Sequence, residues 1–279
     1  MASSTTPITK AKSNAIEVLS ATKNYAGGVK ALLPVDLKVE RGEFVTLLGP
    51  SGCGKSTLLK MIAGITQPTE GKVVLGRRET LPSSIKSNHP LDDQEQSNFS
   101  EPKLSFVFQS PTLMPWANVH KNVRLPLDLA GIPKEIADLQ VGQVLETVGL
   151  TDFANALPRT LSGGMQMRVS IARGLVTKPD LLLMDEPFGA LDEITRHKLD
   201  EELLALWEKN KFTVLFVTHS IHEAVFLSTR IIMMAARPGR VTEQFFVPEP
   251  YPRGSDFLVS NGFMQYAQRV QASLLKASV

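Results

Sequence analysis

A chain of 279 residues, 43% hydrophobic and 21% charged, has the material for one large domain or two small ones and the balance of an ordinary globular protein. A formal net charge of +2 is too small to argue for nucleic acid as a partner, and a single cysteine excludes an internal disulfide and fits a reducing compartment. No apolar run approaches the roughly 18 residues that cross a bilayer, so the chain is not expected to span a membrane by itself.

Residues 1–14, MASSTTPITKAKSN, are polar and rich in Ser and Thr, lack the apolar core of a secretory signal, and are expected to form a disordered tail. AIEVLSATKNY then alternates as a strand does. VDLKVERGEFVTLLG reads as strand, RGE turn and a short apolar strand. KSTLLKMIAGI has helical spacing at Leu58, Leu59, Ile62 and Ala63, and a stop signal at Gly64. GKVVLG is a further short strand. Residues 79–102 are polar and punctuated by proline, which predicts a long polar surface loop. KLSFVFQ resumes as a strand. Residues from about 110 to 165 read as mostly helical, with Ile136, Leu139, Leu145, Val148 and Leu150 as the apolar positions of one segment. SGGMQMRVSIARGL opens a helix, LLLMDEP is a buried strand and HKLDEELLALWEKN an amphipathic helix. FTVLFVTH, SIHEAVFLS and RIIMMAARPGRV read as strand, helix, then strand and turn. Residues 248–279 form a C-terminal helical extension with Phe263, Tyr266, Val270 and Leu274 on one stripe. Apolar strands alternating with amphipathic helices predict an α/β sheet covered on both faces.

The stretch GPSGCGKST at 49–57 fits G-x-x-x-x-G-K-S/T through Gly49, Gly54, Lys55 and Ser56. Gly49, Gly52 and Gly54 let backbone N–H groups converge on a phosphate without an intervening Cβ. Pro50, Ser51 and Cys53 are the spacers of the same cradle, and Cys53 is read as a small filler there, not as a nucleophile. The helix that starts near Lys55 offers free N–H groups and a positive dipole end. Lys55 is placed to reach β- and γ-phosphates, the Ser56 hydroxyl to ligate Mg²⁺, and Thr57 to bond an α-phosphate. A flexible turn is the competing reading of these residues, but the apolar strand before and the helix after favour the cradle.

In LLLMDEP, Asp185 and Glu186 stand at the end of a buried strand, where α/β sheets bind ligands. Asp185 suits a water-mediated hold on Mg²⁺, and Glu186 suits a general base for the attacking water.

LSGGMQMR at 161–168 resembles the signature of the ATP-binding cassette (ABC) ATPases, with Met165 where that family often has Gln. FVFQS, FGALD, VTHS and TKNYAGG resemble four more of its motifs, in the family's order, from about Ile16 to Val247. The resemblance implies a P-loop NTPase (RecA-like) core with an antiparallel β subdomain and an inserted α-helical subdomain, together spanning 15–247. It implies that Tyr25 stacks on adenine and that Gln109 reaches Mg²⁺ and water. His219 would contact the γ-phosphate beside Glu186. Ser162, Gly163, Gly164 and Asp192 would act in trans, on ATP held by a second ATPase subunit, identical or homologous.

PTLMPW and SIHEAVFLSTRIIMMAARPGRV resemble the nitrate/sulfonate/taurine/bicarbonate importer branch. That implies integral membrane permease subunits, indirectly a periplasmic or lipoprotein solute-binding protein, and a place on the cytoplasmic face of the inner membrane, with no nucleic acid. Leu113, Met114 and Trp116 would then form an exposed docking patch, the alternative being that they are core of the helical subdomain. Riboflavin and pyrimidine-precursor importers share similar strings. ABC ATPases of DNA repair or translation usually carry coiled-coil insertions or two cassettes, and this chain shows neither a heptad array nor a second cassette.

Overall fold

The computed structural model describes residues 14–25, 27–76 and 102–278. The expectations for the tail 1–14 and the loop 79–102 fall outside those residues, apart from Asn14 and Pro102. Asn14 is the first residue of strand β1 (Asn14–Asn24), which pairs antiparallel with β2 (Lys30–Glu40) and β4 (Glu70–Leu75) in the order β2-β1-β4.

The larger sheet has the order β5-β6-β7-β3-β8-β9. Its members are β3 (Phe44–Leu48), β5 (Leu104–Val107), β6 (Leu181–Asp185), β7 (Thr213–Thr218), β8 (Arg230–Ala235) and β9 (Arg240–Phe246). The first five run parallel, and β9 returns antiparallel beside β8. The segment read as one strand and a turn, RIIMMAARPGRV, thus supplies β8 and the start of β9. All residues of β3, β6, β7 and β8 are buried, so these strands read as unbroken apolar runs: helices or the second sheet cover both faces.

The pleat of β3 sends its side chains into two separate cores. Phe44 and Leu48 join Phe188, Phe216, Leu203 and Trp207 on one face. Val45 and Leu47 join Leu58, Leu59, Ile62 and the antiparallel sheet's Ile16, Val18 and Val39 on the other. Helix α1 (Lys55–Ile62) lies on that second face, and α5 (Glu193–Asn210) and α6 (Ile221–Leu227) lie on the first. Asp192 caps α5, so the helix starts four residues ahead of the expected His197.

Helices α2 (Val119–Leu129), α3 (Lys134–Thr147) and α4 (Gly163–Leu175) build a third apolar cluster. On α4, Val169 and Ala172 enter that cluster while Met167 and Ile171 enter the main core, so one helix joins the two bodies. The apolar face of α3 agrees with expectation at Leu145, with Val148 and Leu150 buried just past the helix end, and differs at Ile136 and Leu139. Ala137, Val141 and Leu145, one i, i+4 row, are buried, whereas Ile136 and Leu139 are 50% and 64% exposed. Size alone misled there: the helix contact follows the row that faces α2 and α4, and a small Ala137 belongs to it. After α7 (Ser255–Leu258), α8 (Asn261–Ala277) packs Phe263 and Val270 into the main core, with Tyr266 and Leu274 partly buried beside them.

Candidate functional site

The phosphate-type loop, the acidic pair and the histidine leave the same edge of the sheet, at the C-terminal ends of β3, β6 and β7, where parallel sheets open a crevice. Gly49 must be glycine for space, since a Cβ there would sit 2.8 Å from Cys53 Sγ and closer still to the Met234 carbonyl. Gly54 caps α1 at φ 90°, a left-handed conformation that costs other residues free energy. The first intrahelical bond of α1 runs from the Leu58 N–H to the Gly54 carbonyl, so the N–H groups of Lys55, Ser56 and Thr57 have no intrahelical acceptor. No acidic residue stands in that first turn, which leaves its positive end open to an anion.

Lys55 is 5% exposed. Its Nζ donates to the Gly49 carbonyl at 2.8 Å and the Pro50 carbonyl at 3.1 Å, and lies 3.9 Å from Glu186 Oε1. Cys53 is buried, and burial pushes its thiol up, so it stays a neutral filler. Ser56 Oγ donates to Asp185 Oδ1 at 2.7 Å. Burial pushes the Asp185 carboxyl up, with the Ser56 hydrogen bond and the charge of Lys60 opposing. A hydroxyl and a desolvated carboxylate in contact are hard oxygen donors, and they fit Mg²⁺.

Glu186 sits at φ 46°, which for a residue with a Cβ costs about 1–2 kcal/mol. Its N–H donates to the Val217 carbonyl at 2.9 Å, and this turn sets the carboxylate between Lys55 and His219. Glu186 Oε2 and His219 Nδ1 are 3.0 Å apart, and His219 is 55% exposed on its other side. Five sequence-predicted residues therefore meet: Lys55, Ser56, Asp185, Glu186 and His219.

The remaining candidates stand on other elements, and their contacts among the described residues are local. Gln109 is exposed two residues beyond the end of β5. Tyr25 is 46% exposed just past β1, with Lys23 Nζ 5.4 Å from its ring centre. Ser162 and Gly163 are exposed and Gly164 is buried at the start of α4, where the Ser162 side chain accepts the Met165 N–H at 3.3 Å. Asp192 accepts the Thr195 N–H at 3.0 Å, a bond that holds its exposed carboxyl below the usual range.

The expected docking patch is only partly exposed. Trp116 is 79% exposed, but Leu113 and Met114 are half-buried. Leu113 packs on the α2–α4 cluster, and fully buried Asn122 accepts the Met114 N–H at 2.8 Å while donating to the Ala117 carbonyl at 2.9 Å. Arg173 of α4 grips the same segment, donating to the carbonyls of Pro111 and Thr112 at 2.9 Å each. Sequence reasoning singles out neither Asn122 nor Arg173, because their partners are backbone atoms save the Thr112 hydroxyl, which Arg173 also reaches at 2.9 Å.

The ABC transporter family pattern matches residues 32–189. An uncharacterized ABC transporter ATP-binding protein of Methanocaldococcus jannaschii is 45% identical over 265 residues, 95% of this chain and 91% of that one. The aliphatic sulfonates import ATP-binding protein SsuB of Bacillus cereus is 41% identical over 91% of this chain and 92% of its own length. Among solved structures, a dimeric ATP-binding cassette in a post-hydrolysis state bound to ADP and phosphate superposes with a TM-score of 0.68 at 36% identity, over 84% of this chain and all of that one. The α/β P-loop core expected from the sequence is the fold of that cassette.

Proposed function

The chain belongs to the ABC transporter family of ATP-binding subunits and hydrolyses ATP, and from that premise we propose that it drives import of a small anion through a partner permease. The observation that carries the hydrolytic reading is Glu186, held by a left-handed turn between Lys55 and His219. The relatives named as aliphatic sulfonate importers favour a sulfonate-like cargo over the riboflavin or pyrimidine-precursor alternatives.

ATP binds with its phosphates on the free N–H groups of the 49–57 loop, and Lys55 exchanges loop carbonyls for β- and γ-phosphate oxygens. Tyr25 stacks on the adenine. Ser56, Asp185 and Gln109 would hold Mg²⁺, which when bound neutralises phosphate charge. Glu186 takes the proton of the attacking water, and His219 fixes the carboxylate and faces the γ-phosphate. Ser162, Gly163, Gly164 and Asp192 of a second copy complete the site, so ATP closes two chains head to tail.

Among the described residues no helix is long and apolar enough to cross a membrane. We therefore assign the membrane step to the permease, docked on the segment that carries Trp116 at the cytoplasmic face of the membrane. A solute-binding protein joins the system only through that permease. Affinity purification from detergent-solubilised membranes should recover a polytopic protein with this chain. The reconstituted pair should hydrolyse ATP faster when an aliphatic sulfonate and its binding protein are supplied. Recovery with DNA or ribosomes alone would overturn the import reading.

A further inference from the structure

Helix α6 opens with Ser220, Ile221, His222 and Glu223, the S-x-x-E pattern of a capping box, in which the glutamate accepts the N–H of the capping serine. Only half of that box forms. The Ser220 side chain accepts the Glu223 N–H at 3.3 Å, but the Ser220 N–H donates to Thr218 Oγ1 at 2.9 Å. The Thr218 hydroxyl in turn donates to Glu223 Oε2. Glu223 thus fixes, through one hydroxyl, the residues on both sides of His219.

The other carboxylate oxygen faces a different element. Glu223 Oε1 lies 3.7 Å from Arg196 Nε, an ion pair with no hydrogen bond, and Arg196 Nη2 donates to the Leu191 carbonyl at 2.9 Å. Leu191 adjoins Asp192. A continuous path therefore runs from the 188–192 segment through Arg196, Glu223 and Thr218 to His219 and Glu186. Glu223 is 4% exposed, and Asp200 of α5 is a second buried acid that shares Arg196 with it. A helix start needs no buried carboxylate, since Ser220 already caps it, so the desolvation of Glu223 calls for a further role.

We propose that Glu223, which touches neither the loop nor the acidic pair, is a positioning residue that makes the His219 turn and the 188–192 segment move as one. The proposal rests on the roles given above to Glu186 and His219. Glu223→Gln keeps the shape and an acceptor for Thr218 but turns an amide toward Arg196. In steady-state hydrolysis by the full chain, kcat should fall roughly tenfold with KM for ATP unchanged within about twofold. Arg196→Ala should do the same, and the double variant should be no worse than the poorer single one, because both break one link.

Wild-type kcat in both single variants, or losses that multiply in the double, would overturn the proposal. If Glu223→Gln melts early, Arg196→Ala decides by the same split of kcat from KM, since its side chain is 27% exposed. Glu186→Gln assayed beside them separates the two levels. Loss of hydrolysis there with intact Glu223→Gln and Arg196→Ala sinks only the positioning role, whereas retained hydrolysis there sinks the site reading beneath it.

Discussion

Lys55 is the cation of the proposed phosphate site, and its ammonium already has three oxygen neighbours, from Gly49, Pro50 and Glu186. Lys55→Ala should weaken ATP binding by about tenfold or more, near 1.4 kcal/mol, in a fluorescent-nucleotide titration. Unchanged affinity would remove the lysine from the site. Asp200 poses a different problem. It is 5% exposed, and its Oδ1 makes no hydrogen bond among the described residues. Burial pushes its carboxyl well above the usual range, with the charge of Glu223 adding and that of Arg196 opposing. A pKa raised in the folded state gives stability that is whole below the unfolded carboxylate value and is lost as pH rises through the folded one. Asp200→Asn should therefore stabilise the fold by about 1 kcal/mol in urea titrations, more at about pH 8 than at about pH 5. Equal or lower stability at both pH values would show that the carboxylate has a partner the geometry does not reveal.

At the scale of elements, α6 is held at both ends. The Thr218–Ser220–Glu223 knot fixes its start, and Arg253 fixes its finish. Arg253 is 4% exposed, and its Nη1 donates to the carbonyls of Val225, Phe226 and Ser228 at 3.1, 2.9 and 2.9 Å. Its Nη2 donates to the carbonyls of Val247 and Glu249 at 3.0 and 2.9 Å. A cation at a helix C-terminus opposes the dipole favourably, and here it ties the 248–279 segment to the helix that follows His219. Arg253→Ala should cost about 3 kcal/mol in chemical denaturation, because five carbonyls lose their donor. A change below about 0.5 kcal/mol would show the clamp to be incidental. Tyr251 stacks on the same guanidinium at 4.1 Å and donates its hydroxyl to the Leu227 carbonyl at 3.1 Å. Burial pushes its phenol up to about 12 from an ordinary 10.0. Its contribution is then full below pH 10 and lost as pH rises through about 12, so Tyr251→Phe should lose less stability than the parent between those values.

These same elements show what the sequence could disclose. The parallel strands were legible because a buried strand such as FVTLL or LLLMD needs no alternation, and the cradle was legible because its glycines and lysine recur at fixed spacing. On α3 the sequence marks Leu145, Val148 and Leu150 as core but not Ala137, because exposed Ile136 and Leu139 outweigh an alanine on any scale of hydrophobicity. Arg253, Arg173 and Asn122 are not legible because they bind mainly backbone groups, which every residue supplies. Glu223 was half legible: the S-x-x-E spacing marks the helix start, but not the threonine hydroxyl that intervenes.

In the molecule as a whole, five candidate residues meet at one edge of the large sheet, while the starts of α4 and α5 present Ser162, Gly163 and Asp192 to the surface. In the proposed assembly that surface meets the phosphate loop of a second chain. In the proposed cycle ATP joins two such halves and Glu186 ends the union by hydrolysis. Glu186→Gln in the full chain, mixed with ATP and Mg²⁺ and passed through size exclusion with light scattering, tests both parts together. A stable species of twice the monomer mass that retains unhydrolysed ATP, one per chain, is the expected result. A monomer that binds ATP without pairing, or hydrolysis near the parent rate, would contradict it.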